Sequence, residues 1–181
     1  IAESQIGREA YGGVYCHNDM DMLVVGMHGC GDNAEVLGKV VGGCTDTEYK
    51  THFALWSIMN SPLMIGCDVR KMSEAAKGIL TNKDVIAINQ DIECRGPYCI
   101  RQWNNPENVF SLIKPLSGGD YAVGMFNFSD KKNEMSLQFY DIGLPAASGR
   151  GLELYDCYSH SVIGTFSERY AAQIESHDCL M

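Results

Sequence analysis

Within five consecutive positions, His17 to Asp21, the chain sets an imidazole, an amide and two carboxylates, and it then runs directly into the apolar stretch Met22-Leu23-Val24-Val25. Carboxylates at the edge of an apolar segment can accept hydrogen bonds from substrate hydroxyls or hold cationic neighbours in place. In an extended segment Asp19 and Asp21 project to one side, while Asn18, Met20 and Met22 project to the other. At the carboxyl end of a buried parallel strand, such a cluster would lie where α/β barrels and open α/β sheets gather their binding groups. A D-x-D that only caps a solvated loop has the same spelling, so spacing alone leaves both readings open.

Other chemistries fit less well. Cys16, His17, His28, Cys30 and Cys44 offer zinc-ligating atoms, but their spacing matches no standard ligand pattern. The eight cysteines include no C-x-x-C pair, and those inside apolar runs, such as Cys67 and Cys157, read as small buried hydrophobes. A nucleophilic cysteine would need a local base and a lowered pKa, and nothing in the sequence announces either. The Gly-rich segment MHGCGDNAEVLGKVVGG carries no G-K-[ST] and so is not a phosphate loop. His52 sits on an apolar helix and reads as a packing residue. Trp103 and Tyr121 have the composition of a sugar-stacking platform, though aromatics in strands more often fill cores.

The elements that must position these residues change character near residue 91. Before it, the order is strand, loop, helix, strand, helix, which implies parallel pairing. Gly13–Asn18 is a short strand candidate. Thr45 and Glu48 form a T-x-x-E capping box, followed by Tyr49, Phe53, Trp56 and Met59 at helical spacing and ended by Pro62. Leu63–Cys67 reads as a strand buried on both faces. Ser73 caps a further helix, and 82–89 adds another. After Asp91 the expected strands are 100–103, 109–116, 121–129, 135–141, 152–159 and 171–176. Met135, Leu137 and Phe139 alternate with polar residues, and the even spacing suggests an antiparallel sandwich. The expected division is therefore 1–91 and 92–181.

With 45 % hydrophobic and 20 % charged residues, the chain can bury a core. Its formal charge of −9, from 14 cations and 23 anions, argues against nucleic acid or an anionic membrane as partner, since both demand clustered cations. No apolar run approaches the roughly 20 residues needed to span a bilayer. The cysteine usage favours a reducing, cytoplasmic compartment. The opening IAESQIGREAYGG has no Met start and no signal-peptide pattern, and HDCLM stops within a strand-like segment; both ends read as cut from a longer chain.

These residues also carry a resemblance. HNDMDMLVVG resembles the W-N-D-P-D-M-L-V-I-G segment of the α-galactosidase and α-N-acetylgalactosaminidase glycoside hydrolases (family 27, melibiase type). The similarity continues through YKTHFALWSIMNSPLMIGCDVRKMS and AKGILTNKDVIAINQD, the second matching L-x-N-K-[DE]-[VI]-I-A-[IV]-N-Q-D. YAVGMFNFSD and LYDCYSHSVIGTFSERYAAQIESHDCLM resemble the trailing β domain, so the match covers nearly the whole chain.

The resemblance implies an α/β plus all-β fold: the last part of a (β/α)8 TIM barrel, then an antiparallel β-sandwich. It implies that Asp21 binds sugar hydroxyls and Met22 lines the pocket, with Asn18 and Asp19 as supporting groups behind them. The implied partner is an α-galactoside sugar, with no metal or organic cofactor. Three departures stand out. His17 and Met20 replace the family's Trp and Pro, and the loop from Met27 to Cys44 is longer than usual. Most important, the nucleophile motif K-x-D and the acid/base motif R-x-x-x-D are absent, and the opening residues resemble the helix just after the acid/base. The chain is therefore expected to contribute part of the pocket and to be inactive alone, with the N-terminal barrel portion as its polypeptide partner. Exposed strand edges of a partial barrel would also invite a homo-oligomer. The alternative is a non-catalytic carbohydrate- or partner-binding module derived from such an enzyme.

Overall fold

A computed structural model of the chain describes residues 1–28, 35–36, 39–40, 43–101 and 107–181. The first part is helical. After a single turn, α1 (Ala2–Gln5), the chain reaches the polar segment, and a two-residue antiparallel pair follows, β1 (Glu35–Val36) with β2 (Lys39–Val40). Three helices come next: α2 (Asp46–Ile58), α3 (Glu74–Leu80) and α4 (Lys83–Asn89).

Each of the three helices starts on a capping side chain. The Thr45 hydroxyl accepts the Glu48 N–H at 3.2 Å, and the Glu48 carboxylate accepts the Thr45 N–H at 2.7 Å. This reciprocal box satisfies two backbone donors that would otherwise lack partners. Ser73 accepts the Ala76 N–H at 3.1 Å to start α3. Asn82 accepts the Asp84 and Val85 N–H groups at the start of α4. α2 stops at Ile58, four residues before Pro62, with Asn60 in the left-handed region at φ 58°. The reversal at Asn60 ends the helix, and the Asn60 amide is held by the Arg95 carbonyl at 2.8 Å.

The second part is all antiparallel. β3 (Tyr98–Arg101), β4 (Val109–Pro115) and β5 (Tyr121–Asn127) build a sheet completed by β10 (Cys179–Leu180), in the order β10-β5-β4-β3. β6 (Asn133–Gln138) pairs with β9 (Arg169–Ile174), and β7 (Leu152–Asp156) pairs with β8 (Ser161–Phe166). The expected strand over 152–159 is thus a shorter strand that turns back at residues 157–160. β8 had no counterpart in the expectation, because its SVIGTF alternation is weak and the strand lies largely in solvent.

β4 is buried on both faces, and its alternation divides two cores. Val109 and Ile113 pack with Met125, Met135, Leu137, Phe139 and Ile174 between the sheet and the β6–β9 pair. Phe110 and Leu112 face the other way, joining Tyr49, Phe53, Ile58, Val85 and Phe126. The helices and the β part therefore share one core across the 91–92 region. Lys114, on that helix-facing side, is fully buried, and its ammonium donates to the Asn60 side-chain oxygen and the Ile88 carbonyl. Burial lowers its pKa from 10.5 to about 8, against the attraction of Asp91.

Leu63–Cys67 departs from expectation. Its only strand-like pairing among the described residues is a parallel bridge between Leu23 and Ile65. Met64 is 61 % exposed and Ile65 46 % exposed, so the segment is not buried on both faces. A barrel strand owes its burial to neighbouring strands and helices, and few elements here lie against this one. Gly66 remains constrained: a Cβ there would sit 2.7 Å from the Leu23 carbonyl oxygen. Its N–H donates to that oxygen at 3.0 Å. Gly13–Asn18 forms no extended strand either; Gly13 and Cys16 bond to each other across a tight turn.

Candidate functional site

The polar segment lies on the amino side of the bridged residue Leu23, not at the carboxyl end of a strand. It is also not extended throughout. Asp21 has φ 73°, a left-handed conformation that costs a non-glycine residue of order 1 kcal/mol and that Asp tolerates better than most. The kink breaks the expected alternation. Met20 is buried at 1 % exposure, whereas Met22, two residues on, is 54 % exposed.

Short hydrogen bonds fold the acidic turn onto itself. The Asp19 carboxylate accepts the Asp21 N–H at 2.8 Å, and the Asp21 carboxylate accepts the Met22 N–H at 2.6 Å. Asn18 turns the other way and donates to the Arg8 carbonyl at 3.1 Å. Asp19, Asp21 and Met22 are exposed, and Asn18 is half-buried. Asp21 and Met22 lie side by side on the turn, with Asp19 bracing it. Asn18 braces the segment before it.

From below, three side chains grip the backbone of this turn. Ser61 Oγ accepts the Met20 N–H at 3.0 Å. Trp56 Nε1–H donates to the Asp21 carbonyl at 2.8 Å. His52 Nε2 accepts the Val24 N–H at 3.2 Å. His52 and Trp56, one helical turn apart on α2, pack ring against ring at 3.8 Å between centroids. Burial holds the His52 pKa down at about 4, so the imidazole is neutral and able to accept. The Leu23 N–H completes the attachment by donating to the Met64 carbonyl at 2.8 Å.

The reading of His52 as a packing residue is met, but its bond to Val24 adds a function that packing alone did not suggest. Trp56 and Ser61 were missed as supports. The available signal was the i, i+4 spacing of His52 and Trp56, which puts both rings on one helix face.

A cavity of about 370 Å³ opens beside this face, lined by Glu48, His52, Leu55, Trp56, Phe128 and His177 among others. A narrow cleft elsewhere includes Asn18, Asn60 and Gly96. Asp21 and Met22 line neither. Tyr121 is 43 % exposed, while its proposed stacking companion Trp103 lies outside the described residues.

Among the described residues, no group of three or more His, Cys, Asp or Glu is placed to hold a metal ion. Cys30, one of the ligands considered for zinc, lies outside them. Burial pushes the Cys157 thiol up to about 11 and Cys179 to about 12, so neither supplies a thiolate near neutral pH. No helix among the described residues is long and apolar enough to cross a membrane.

Comparison with known proteins decides what this arrangement belongs to. A family profile described as alpha galactosidase A matches residues 3–91, and one described as the alpha galactosidase C-terminal beta sandwich domain matches residues 109–181. The chain belongs to the α-galactosidase family. Its fold is the end of that family's (β/α)8 barrel followed by the antiparallel β-sandwich.

Among α-galactosidase relatives, the Cyamopsis tetragonoloba α-galactosidase is 31 % identical over 182 residues, which is 100 % of this chain and 39 % of that protein. Arabidopsis thaliana α-galactosidase 3 is 33 % identical over 190 residues, 100 % of this chain and 38 % of that protein. The crystal structure of α-galactosidase I from Mortierella vinacea superposes with a TM-score of 0.76 at 28 % identity, covering 91 % of this chain and 38 % of that one. The chain thus spans well under half the length of the α-galactosidases it matches.

Proposed function

We propose that this chain forms part of a retaining glycosidase that removes terminal α-linked galactose from oligosaccharides or glycoconjugates. It contributes one wall of the sugar pocket and the supporting β-sandwich. The observation that carries this reading is the acidic turn at Asp21, exposed at its tip and anchored from beneath by three side chains of a family-typical helix and the loop after it.

In this reading the Asp21 carboxylate accepts hydrogen bonds from sugar hydroxyls, and Met22 offers apolar surface to a ring face. Asp19 and Asn18 hold the segment in shape. Retaining hydrolysis needs two carboxyl groups about 5 Å apart, one attacking the anomeric carbon and one transferring the proton. The sequence contains neither K-x-D nor R-x-x-x-D, so both groups belong to another part of the polypeptide. Without them the covalent step and the proton transfer are lost together.

The test is turnover of an aryl α-galactoside by the complete polypeptide and by the 181-residue chain alone. Activity confined to the complete polypeptide is expected. Hydrolysis by the shorter chain would overturn this division of labour.

A further inference from the structure

We infer that His52, Trp56 and Ser61 are positioning residues, setting the aim of Asp21 and Met22 toward the substrate without touching it. This inference rests on the proposed function and assigns a specific support to that site. The warrant is the pattern of attachment. Of five successive residues, Met20, Asp21 and Val24 are each held at the backbone by one of these side chains, at 3.0, 2.8 and 3.2 Å. Leu23 is held by the neighbouring strand segment. The Met22 N–H bonds within the turn, to the Asp21 carboxylate, as the Asp21 N–H does to Asp19.

A turn of this kind needs such support. A left-handed Asp persists only where its surroundings fix it, and the exposed Asp21 side chain bonds only to the next backbone N–H, inside the turn itself. The residue type at position 20 fits the same picture. Proline would limit the backbone by its ring; methionine restores an N–H, and Ser61 accepts it. On the α2 side, the rings of His52 and Trp56 pack against each other, tilted by 39°, so the acceptor for Val24 and the donor for Asp21 support one another. Both rings also line the adjoining cavity.

The experiment uses the complete polypeptide and compares Trp56→Phe, His52→Leu and His52→Gln with the parent in steady-state kinetics and thermal unfolding. Phenylalanine keeps the aromatic packing and removes the donor. Leucine removes the acceptor, and glutamine restores one through its side-chain oxygen. If Asp21 grips the sugar equally before and during reaction, misplacing it raises KM and leaves kcat unchanged. The expected result is a roughly five- to tenfold rise in KM for Trp56→Phe and His52→Leu, the scale of one lost hydrogen bond, with recovery in His52→Gln. A role in stability alone would lower the melting temperature and the active fraction while KM stayed constant. Normal parental turnover with unchanged KM in Trp56→Phe and His52→Leu would overturn the inference by itself. A parent that hydrolyses no α-galactoside would overturn the proposed function, and the inference with it.

Discussion

The indole Nε1–H of Trp56 reaches the backbone carbonyl of Asp21 at 2.8 Å, so a helix residue 35 positions later in the chain fixes an acidic residue whose backbone is left-handed. The strain at Asp21 and the support from Trp56 belong to the same device. Substituting Asp21 by glycine should therefore separate stability from function. Glycine relieves the cost of φ 73° but loses the bond to the Met22 N–H, and the two effects are each about 1 kcal/mol with opposite sign. Thermal unfolding of Asp21→Gly should stay within about 1 kcal/mol of the parent, while activity of the complete polypeptide falls sharply.

His52 makes stability sensitive to acid. Its pKa is about 4 when folded, against 6.5 for an ordinary histidine, and burial is the cause. The unfolded chain takes up this proton before the folded one does. The contribution is thus fully present above pH 6.5 and is lost as pH falls toward 4, for a total of about 3 kcal/mol. Denaturant unfolding of the parent and His52→Gln across that window should show the difference between them shrinking with falling pH. A constant difference would contradict the assignment.

Lys114 acts at the alkaline end. Its pKa is lowered to about 8 by burial from an ordinary 10.5, so above pH 8 the folded chain holds fewer protons than the unfolded one. Folding becomes more favourable as pH rises from about 8 to 10.5, by about 3 kcal/mol from this group. Because buried tyrosines and thiols titrate nearby in pH, the clean measurement is the stability difference between the parent and Lys114→Met. The parent should gain on the variant through that window.

The attachment of α4 to the β7–β8 hairpin offers a contrast between a buried amide and exposed charges. Asn82 caps α4 and donates to the Cys157 carbonyl at 2.9 Å. Asp84, beside it, accepts from Tyr155 at 2.9 Å and meets His160 at 2.7 Å, where the His160 side chain is 56 % exposed. Asn82→Ala should cost about 2 kcal/mol, a cap plus a buried bond. Asp84→Ala should cost under about 1 kcal/mol, as exposed pairs do. Urea unfolding of the two variants checks the order.

What the sequence disclosed was mostly local. The caps at Thr45 and Ser73 are written in side chains three residues or fewer from their targets, and β4, β5 and β6 follow from dense apolar or alternating runs. Leu63–Cys67 misled because the same apolar spelling serves a strand whatever its neighbours, and here Met64 and Ile65 face outward. β8 was missed because an exposed hairpin strand needs no apolar period. Residue types and family resemblance single out Asp21 and Met22 as candidates, but the kink between Met20 and Met22 was not legible. Its cause is tertiary: Trp56, Ser61 and His52 are distant in sequence and carry no local mark of the backbone groups they hold. Lys114 was invisible for the same reason, since only folding brings Asn60 and the Ile88 carbonyl to it.

The central claim is that the Asp21 tip meets the sugar, and the most direct measurement is competitive inhibition by galactose in the complete polypeptide carrying Asp21→Ala. A hydrogen bond from a sugar hydroxyl to a carboxylate is worth enough that its loss should weaken galactose binding roughly tenfold or more. Galactose inhibition unchanged from the parent, in a variant that folds and retains turnover, would contradict the account.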